Sequence, residues 1–480
     1  MIASTSGGHP LQGHRAMRPL AVGTVLLVLA GFVWANSGEQ LLAYLIVLTV
    51  AVLPSALWIR MGTLGIPVFP MVALVYIPYF ARPALNDSDI LLGYSEWEIV
   101  VAAIAIALFL LAATVSWRLV LGRPQLQHRA PQDGVDPSRE VRFALLGLLV
   151  GIIFHIGTIS GSFAWVGSFF GLVRIVAVTF VTVALFLIGV TRGQGHLRGN
   201  PWAMAVIGTT LLIILTWSSL FLVGGVVYIL AMLFGYVIAA RRVPWLVVGT
   251  ALIAVTVLHA GKAEMREKYW ETGTNYGGIS SVMQLPGMAT EWVANGIKAI
   301  ATNSVGQSAI ERTSLLQMVL RVQRETPDHI DYLNGETYAL LPSILVPRFI
   351  ESDKPASQVG MDLLNRRYGL ISVDEESSTA IGWGLIAEAY ANYGYFGVIG
   401  IALLVGGFCG KLEHWGKDAA IISLPTLTGI AATMVLINIE LDFIQACSTL
   451  LQSFASVLIF LTTFRLFVVH RGERTGSANW

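Results

Sequence analysis

The sequence predicts an all-α polytopic membrane protein with about twelve transmembrane helices and one large, mainly helical external loop, and three observations predict it. The chain is 55% hydrophobic and only 12% charged, with a mean hydropathy of +0.70, whereas soluble domains carry about 25% charged residues. Apolar runs of about 20 residues recur, the length that crosses roughly 30 Å of hydrocarbon as a helix. One long polar stretch, Gly261 to Ala380, interrupts them. The net charge of +1 hides a strong spatial asymmetry and points to no nucleic-acid partner.

In chain order, nine spans are expected near 19–36, 41–60, 64–82, 97–120, 141–160, 166–191, 201–219, 220–240 and 244–260. Only Trp217-Ser218-Ser219 divides the seventh from the eighth, and their joint length favours a hairpin over one broken element. Three more spans follow the polar stretch, near 382–410, 420–440 and 444–468. The expected organisation is therefore an N-terminal bundle over 1–260, a loop over 261–380 and a C-terminal bundle over 381–480.

Lys and Arg near span ends prefer the cytoplasm. Connectors on one side carry Arg60, the cluster from Arg118 to Arg142, Arg192 and Arg198, Arg241 and Arg242, and Lys411 and Lys417, and both termini are basic. Opposite connectors are neutral or acidic, Arg82 excepted. The expected arrangement is cytoplasmic ends and an external large loop. The first apolar run lacks a small-residue cleavage site and reads as a signal anchor. Cys409 and Cys447 fall at span ends on opposite sides, so no disulfide or metal-ligand spacing is expected.

The large loop carries Trp270, Tyr276, Trp292, Tyr332, Tyr338 and Tyr368 without low-complexity runs, so it should fold. Ala309–Arg324 reads as a helix with a polar stripe of Glu311, Ser314, Gln317, Arg321 and Arg324. Arg312 falls on the apolar side, where a charge costs several kcal/mol unless partnered. It either snorkels, forms a structural ion pair, or faces an anionic ligand. Asn334 to Pro355, with Pro342 and Pro347, is too short to span and suits an interfacial or re-entrant piece. That piece delivers Arg348 and Lys354 to headgroup level, either as anchors or as donors to phosphate oxygens.

Ionisable groups within spans are rare and usually functional. Arg174 lies about a third of the way into the sixth span and His155 near the end of the fifth. Glu388 opens the tenth, with Asn392 one turn later on the same face. All fall in the external half of the membrane, which predicts one site. Each also has a structural reading: His155 as a bond to a neighbouring helix, Glu388 paired with Arg174 as a lock. Gly394 and Gly397 are expected to allow close helix packing.

The order of many spans, a late external loop with "NGETY", "VPRF" and "KP", and then "EAYANYGYFG" opening the next span resembles the O-antigen polymerase (Wzy-type) family of bacterial polysaccharide repeat-unit polymerases. The motif likeness covers about Ile310 to Gly410. The resemblance implies a GT-C-like membrane glycosyltransferase that moves a growing glycan from undecaprenyl diphosphate to a sugar hydroxyl on another lipid-linked repeat unit. Its partners would be undecaprenyl-diphosphate-linked oligosaccharides, with a chain-length regulator and a flippase of the same pathway; no cofactor or metal is implied. Arg174, Arg312, Arg348 and Lys354 would steady the lipid diphosphate, with Tyr338 and Asn392 as further substrate contacts. Glu388 is the first choice of base and His155 the second.

Three rival readings stand beside it, the third a non-catalytic assembly partner for an envelope machine, favoured only if the external arginines prove dispensable. Twelve spans with both ends inside is also a transporter layout, although no internal repeat is found and the large loop follows the ninth span. An O-antigen ligase would share the layout and would need an external-loop histidine, for which His329 is the candidate.

Overall fold

The computed structural model describes residues 11–62, 65–85, 91, 93–122, 137–220, 222–271, 279–302, 314–346, 357–371 and 381–476, and all regular structure among them is helical. Among the described residues, ten helices are long and apolar enough to cross a membrane. Pro19–Trp34 and Leu424–Leu436 are shorter apolar stretches that fall in the first and eleventh expected spans. Large apolar side chains point outward all along the helices, among them Val33, Leu119, Leu246 and Phe396. Such patches suit contact with lipid and would aggregate in water. The chain is a multi-pass helical membrane protein.

Its helices fall into two compact units, each assembled from separate stretches of chain. The first comprises 1–131, 310–421 and 435–448. It holds α1 (Leu11–Trp34), α2 (Gly38–Met61), α3 (Val68–Tyr76) and α4 (Glu96–Leu121). α3 runs on through a π turn, Ile77–Ala81, and a 3-10 turn, Arg82–Leu85. Here Pro78 removes an N–H from the helical ladder. α4 opens on a capping box in which Ser95 and Glu98 satisfy each other's backbone N–H groups.

α4 packs along the long helix Gly384–Gly416, and two glycines let the backbones meet. A Cβ on Gly406 would strike the Ala113 carbonyl, and one on Gly410 would lie 2.8 Å from that of Trp117. Phe69, on α3, lies against Trp117 with ring centroids 5.7 Å apart. The buried Glu413 accepts a 2.9 Å bond from the Phe69 N–H, supplying an acceptor to a helix start that Pro67 cannot cap by side chain.

The second unit comprises 132–309, 422–434 and 449–480. It holds α5 (Pro137–Ile159), α6 (Phe170–Gly193), α7 (Gly199–Trp217), α8 (Leu222–Ala240), α9 (Trp245–Arg266) and α10 (Ile279–Ala301). The seventh and eighth expected spans are thus two helices. α6 and α8 approach through Gly189 and Gly235, where added Cβ atoms would meet the Met232 and Phe186 carbonyls. Phe460 packs edge-on to Phe143 and Phe180, at 5.2 and 4.7 Å.

α9 continues past the apolar run that ends near Ala260, because α10 packs on the extension. Gly261 faces Gly296 backbone to backbone, and Trp292 Nε1 donates to the Leu258 carbonyl at 2.6 Å. The polar stretch after the ninth span is therefore divided, with α10 in the second unit and 314–346 and 357–371 in the first.

Beyond α10 come α11 (Leu316–Glu325), the short α12 (Glu336–Ala339) and α13 (Leu341–Leu345), and α14 (Val359–Arg367). They are followed by α15 (Gly384–Gly416), α16 (Leu424–Leu436) and α17 (Phe443–Gly476). α11 has the predicted apolar side, with Leu315, Leu316 and Val319 buried; Ser314, assigned to the polar stripe, is buried too. Arg324, assigned to the same stripe, is engaged. It grips Glu98 with two nitrogens at 2.9 and 3.0 Å, donates to the Gly93 carbonyl at 2.6 Å, and lies 3.7 Å over the Tyr94 ring.

Candidate functional site

The candidate site lies in the first unit, where α15 breaks. Tyr393 (φ −145°, ψ 20°) and Gly394 (φ 59°, ψ −144°) leave helical geometry inside an otherwise continuous element. Glycine supplies the left-handed conformation that other residues adopt only with strain. Gly394 and Gly397 were expected to let helices pack closely; they serve the break instead. A Cβ on Gly397 would meet the Ala389 carbonyl of its own helix, and one on Gly394 would lie 2.9 Å from the Tyr332 hydroxyl.

A break exposes carbonyls that the helix can no longer satisfy. The segment carrying "NGETY" fills that need. Leu333 N–H donates to the Ala391 carbonyl at 3.0 Å and Asn334 N–H to that of Asn392 at 3.1 Å. Asn334 and Gly335, at φ 48° and 92°, then turn the chain back in the left-handed region. Asn392 locks the turn: its Oδ1 accepts from Gly335 N–H at 3.0 Å, and its Nδ2 donates to Thr337 Oγ1 and the Glu388 carbonyl, both at 2.9 Å. Asn392 is fully buried with its amide engaged by protein, so its role here is to position the turn.

Glu388, one turn earlier, is also fully buried. Its Oε2 accepts a 2.7 Å bond from the Phe443 N–H at the start of α17. The Thr337 hydroxyl is a side-chain donor that bears on the carboxyl, yet Oε1 makes no hydrogen bond of proper geometry. Beside it stands Tyr338, whose ring meets Phe443 edge-on at 5.3 Å and stacks on Tyr393 at 6.4 Å. The Tyr338 hydroxyl is likewise buried without a hydrogen bond. Burial, with Glu388, Tyr393 and Asp442 close by, pushes that hydroxyl well above the ordinary tyrosine range.

Asp442, fully buried, caps the same helix start through a 2.7 Å bond from Gln445 N–H. Its other oxygen faces α14, where a Cβ on Gly360 would lie 2.8 Å away. Two acidic side chains thus share the positive N-terminus of α17. What the arrangement offers chemically is a carboxyl oxygen, Glu388 Oε1, and the Tyr338 hydroxyl, both buried and without a hydrogen bond of proper geometry.

Of the predicted site residues, this region brings together Glu388, Asn392 and Tyr338. His155 and Arg174 belong to the second unit. There His155 Nε2 is hydrogen-bonded to the Tyr228 hydroxyl at 3.1 Å and reaches Thr216 Oγ1 at 3.4 Å, joining three helices. Arg174 is exposed, one turn inside α6. Arg312, Arg348 and Lys354 lie outside the described residues. His329 is exposed and 3.6 Å from Glu325, an i,i+4 pair on the surface.

Sequence reasoning left out Thr337, Tyr393, Asp442 and Phe443. One signal was present for Asp442: Asp-Phe-Ile-Gln places an N-cap acid three residues before a glutamine, the pattern of a helix start. Nothing in a linear reading ties that start to Glu388.

Residues 152–414, more than half of the 480-residue chain, match the family described as Domain of unknown function (DUF8712). The chain belongs to this family. The region matched by DUF8712 takes in His155, Arg174, the "NGETY" turn, Glu388 and the helix break, whereas Asp442 and Phe443 lie beyond it. No curated protein and no solved structure matches the chain.

Proposed function

We propose that this chain is a membrane glycosyltransferase of the O-antigen polymerase kind, GT-C-like in build, which joins undecaprenyl-diphosphate-linked oligosaccharide repeat units at the external face of a bacterial cytoplasmic membrane. The observation that carries the reading is the buried Glu388 carboxyl, held at Oε2 by a helix N-terminus with Oε1 unengaged beside the "NGETY" turn. In the reaction, an acceptor sugar hydroxyl attacks the anomeric carbon of the donor glycan. The bond from that carbon to the diphosphate oxygen breaks, the hydroxyl proton passes to Glu388, and the carrier diphosphate leaves as an anion. That anion needs fixed cations at headgroup depth, a role for Arg348, Lys354, Arg312 and Arg174. A chain-length regulator and a flippase would be partners.

Deletion in the native host, followed by analysis of lipid-linked intermediates, tests the reading. Single lipid-linked repeats should accumulate; long lipid-linked polymer would mark a ligase, and repeats trapped on the cytoplasmic side a flippase. Glu388→Gln should retain carrier binding and lower turnover by about 10²–10⁴-fold, the usual contribution of a general base. Unaltered turnover would assign the base elsewhere.

The break in α15 favours a second reading, since discontinuous helices are common at transporter binding sites. Translocation of lipid-linked oligosaccharide by purified protein in liposomes, without polymer formation, would select it.

A further inference from the structure

Tyr393 stands at the helix break, where its backbone leaves helical geometry. It is 45% exposed, yet its environment is built rather than loose. The break swings its ring out of the helical line to stack on Tyr338 at an interplanar angle of 26°. The Tyr393 hydroxyl rests on the backbone of Gly335, whose lack of a side chain makes room for it. One face of Tyr393 is thus fixed by protein while the ring stays open outward. The Tyr338 hydroxyl, on the ring it stacks with, and Oε1 of Glu388, close to Tyr338, are both buried without a hydrogen bond of proper geometry. Buried polar atoms normally find partners, and leaving one unmet costs about 1–3 kcal/mol. A ligand able to stack on an aromatic face and to offer hydroxyl groups at its edge would satisfy all three features at once. Saccharides have that chemistry: the C–H face of a pyranose packs on a ring, and its hydroxyls both donate and accept.

We infer that Tyr393 and Tyr338 form a saccharide subsite, with the Tyr393 ring as the stacking platform and the Tyr338 hydroxyl as the polar contact that turns one sugar hydroxyl toward Glu388. The inference rests on the glycosyltransferase reading in one respect only: it makes this sugar the acceptor, because the hydroxyl so placed is the one that Glu388 would deprotonate. Asn392 and Gly335 act as positioning residues for the platform.

The experiment is saturation-transfer NMR on the purified full-length protein in detergent, with the repeat-unit oligosaccharide obtained by partial acid hydrolysis of the host's own surface polysaccharide as the probe. Wild type should show saturation transfer to the protons on one sugar face. Tyr393→Leu, which keeps bulk but removes the ring, should weaken binding by about tenfold, the scale of a lost aromatic contact. Tyr393→Trp should retain it. Phe396→Leu, on an exposed neighbouring ring, should change nothing and controls for general loss of aromatic surface. Equal binding by wild type and a folded Tyr393→Leu protein would overturn the inference, as would absence of transfer to wild type. Either result leaves the polymerase reading to be decided by the intermediates in the deletion strain. Conversely, loss of binding in Tyr393→Leu in a host whose deletion accumulates no single repeats would keep the saccharide subsite and remove its assignment as an acceptor.

Discussion

At Asp442, capping and burial pull in opposite directions. Capping a helix and interacting with its dipole are each worth about 1 kcal/mol, while enclosing a carboxylate away from water costs several kcal/mol. Burial wins, and it holds the Asp442 carboxyl above the ordinary aspartate value of 3.8. The backbone N–H groups of Gln445, Met361 and Ile444 pull it down, and the charge of Asp362 adds to the rise. The sign of the pH dependence follows. The folded state binds this proton more tightly than the unfolded chain, so the stabilisation is complete below about pH 3.8 and fades as pH rises toward the folded-state value. The groups that face it include Glu388, Tyr338, Asp362 and Cys447. The apparent unfolding midpoint in detergent should therefore fall between pH 4 and 7, and Asp442→Asn should flatten that slope. An unchanged slope would mean that Asp442 does not carry it.

At the scale of elements, α15 does two jobs that need different glycines. Gly394 permits the break, and Gly406 and Gly410 permit the approach to α4. Replacing Gly406 by Leu forces a side chain into the Ala113 backbone, where overpacking costs about 1–3 kcal/mol. We expect Gly406→Leu to lower the unfolding midpoint of the purified protein and its yield in the membrane, while Gly400→Leu, at a glycine with open space around it, leaves both unchanged. Equal effects at the two positions would mean that the α4–α15 seam is not close-packed. α11 is held by different means. Arg324 combines a forked grip on Glu98 with a ring contact on Tyr94, a geometry lysine could not reproduce.

For the whole molecule, the distribution of Lys and Arg among the short connectors predicts which side each faces. With Cys409→Ala and Cys447→Ser as background, a cysteine at Ser162 should react with an impermeant thiol reagent in intact cells. One at Gln194 should react only after the membrane is opened. The reverse pattern would invert the topology and place the "NGETY" turn in the cytoplasm.

Hydropathy alone located the ten described helices that are long and apolar enough to cross a membrane, because a run of apolar residues near span length has few alternatives to a helix, in lipid or in a core. It misjudged extent where packing sets the boundary: α9 outruns its apolar stretch because Gly261 and Met265 are covered by α10. Glu388 and Asn392 stood out because polar groups in a span are conspicuous. Tyr393, Thr337 and Phe443 did not, since a tyrosine or threonine at a span end is ordinary in sequence.

The sequence by itself determined that this is a helical multi-pass membrane protein and that Glu388 and Asn392 are out of place in their span, since both follow from the cost of moving side chains out of water, a local property of composition. Only the tertiary structure decided that α15 breaks at Tyr393, that the "NGETY" turn mends the break, and that Phe443 and Asp442 close on Glu388. Those relations join positions more than 50 residues apart in the chain, through hydrogen bonds whose partners no local pattern specifies.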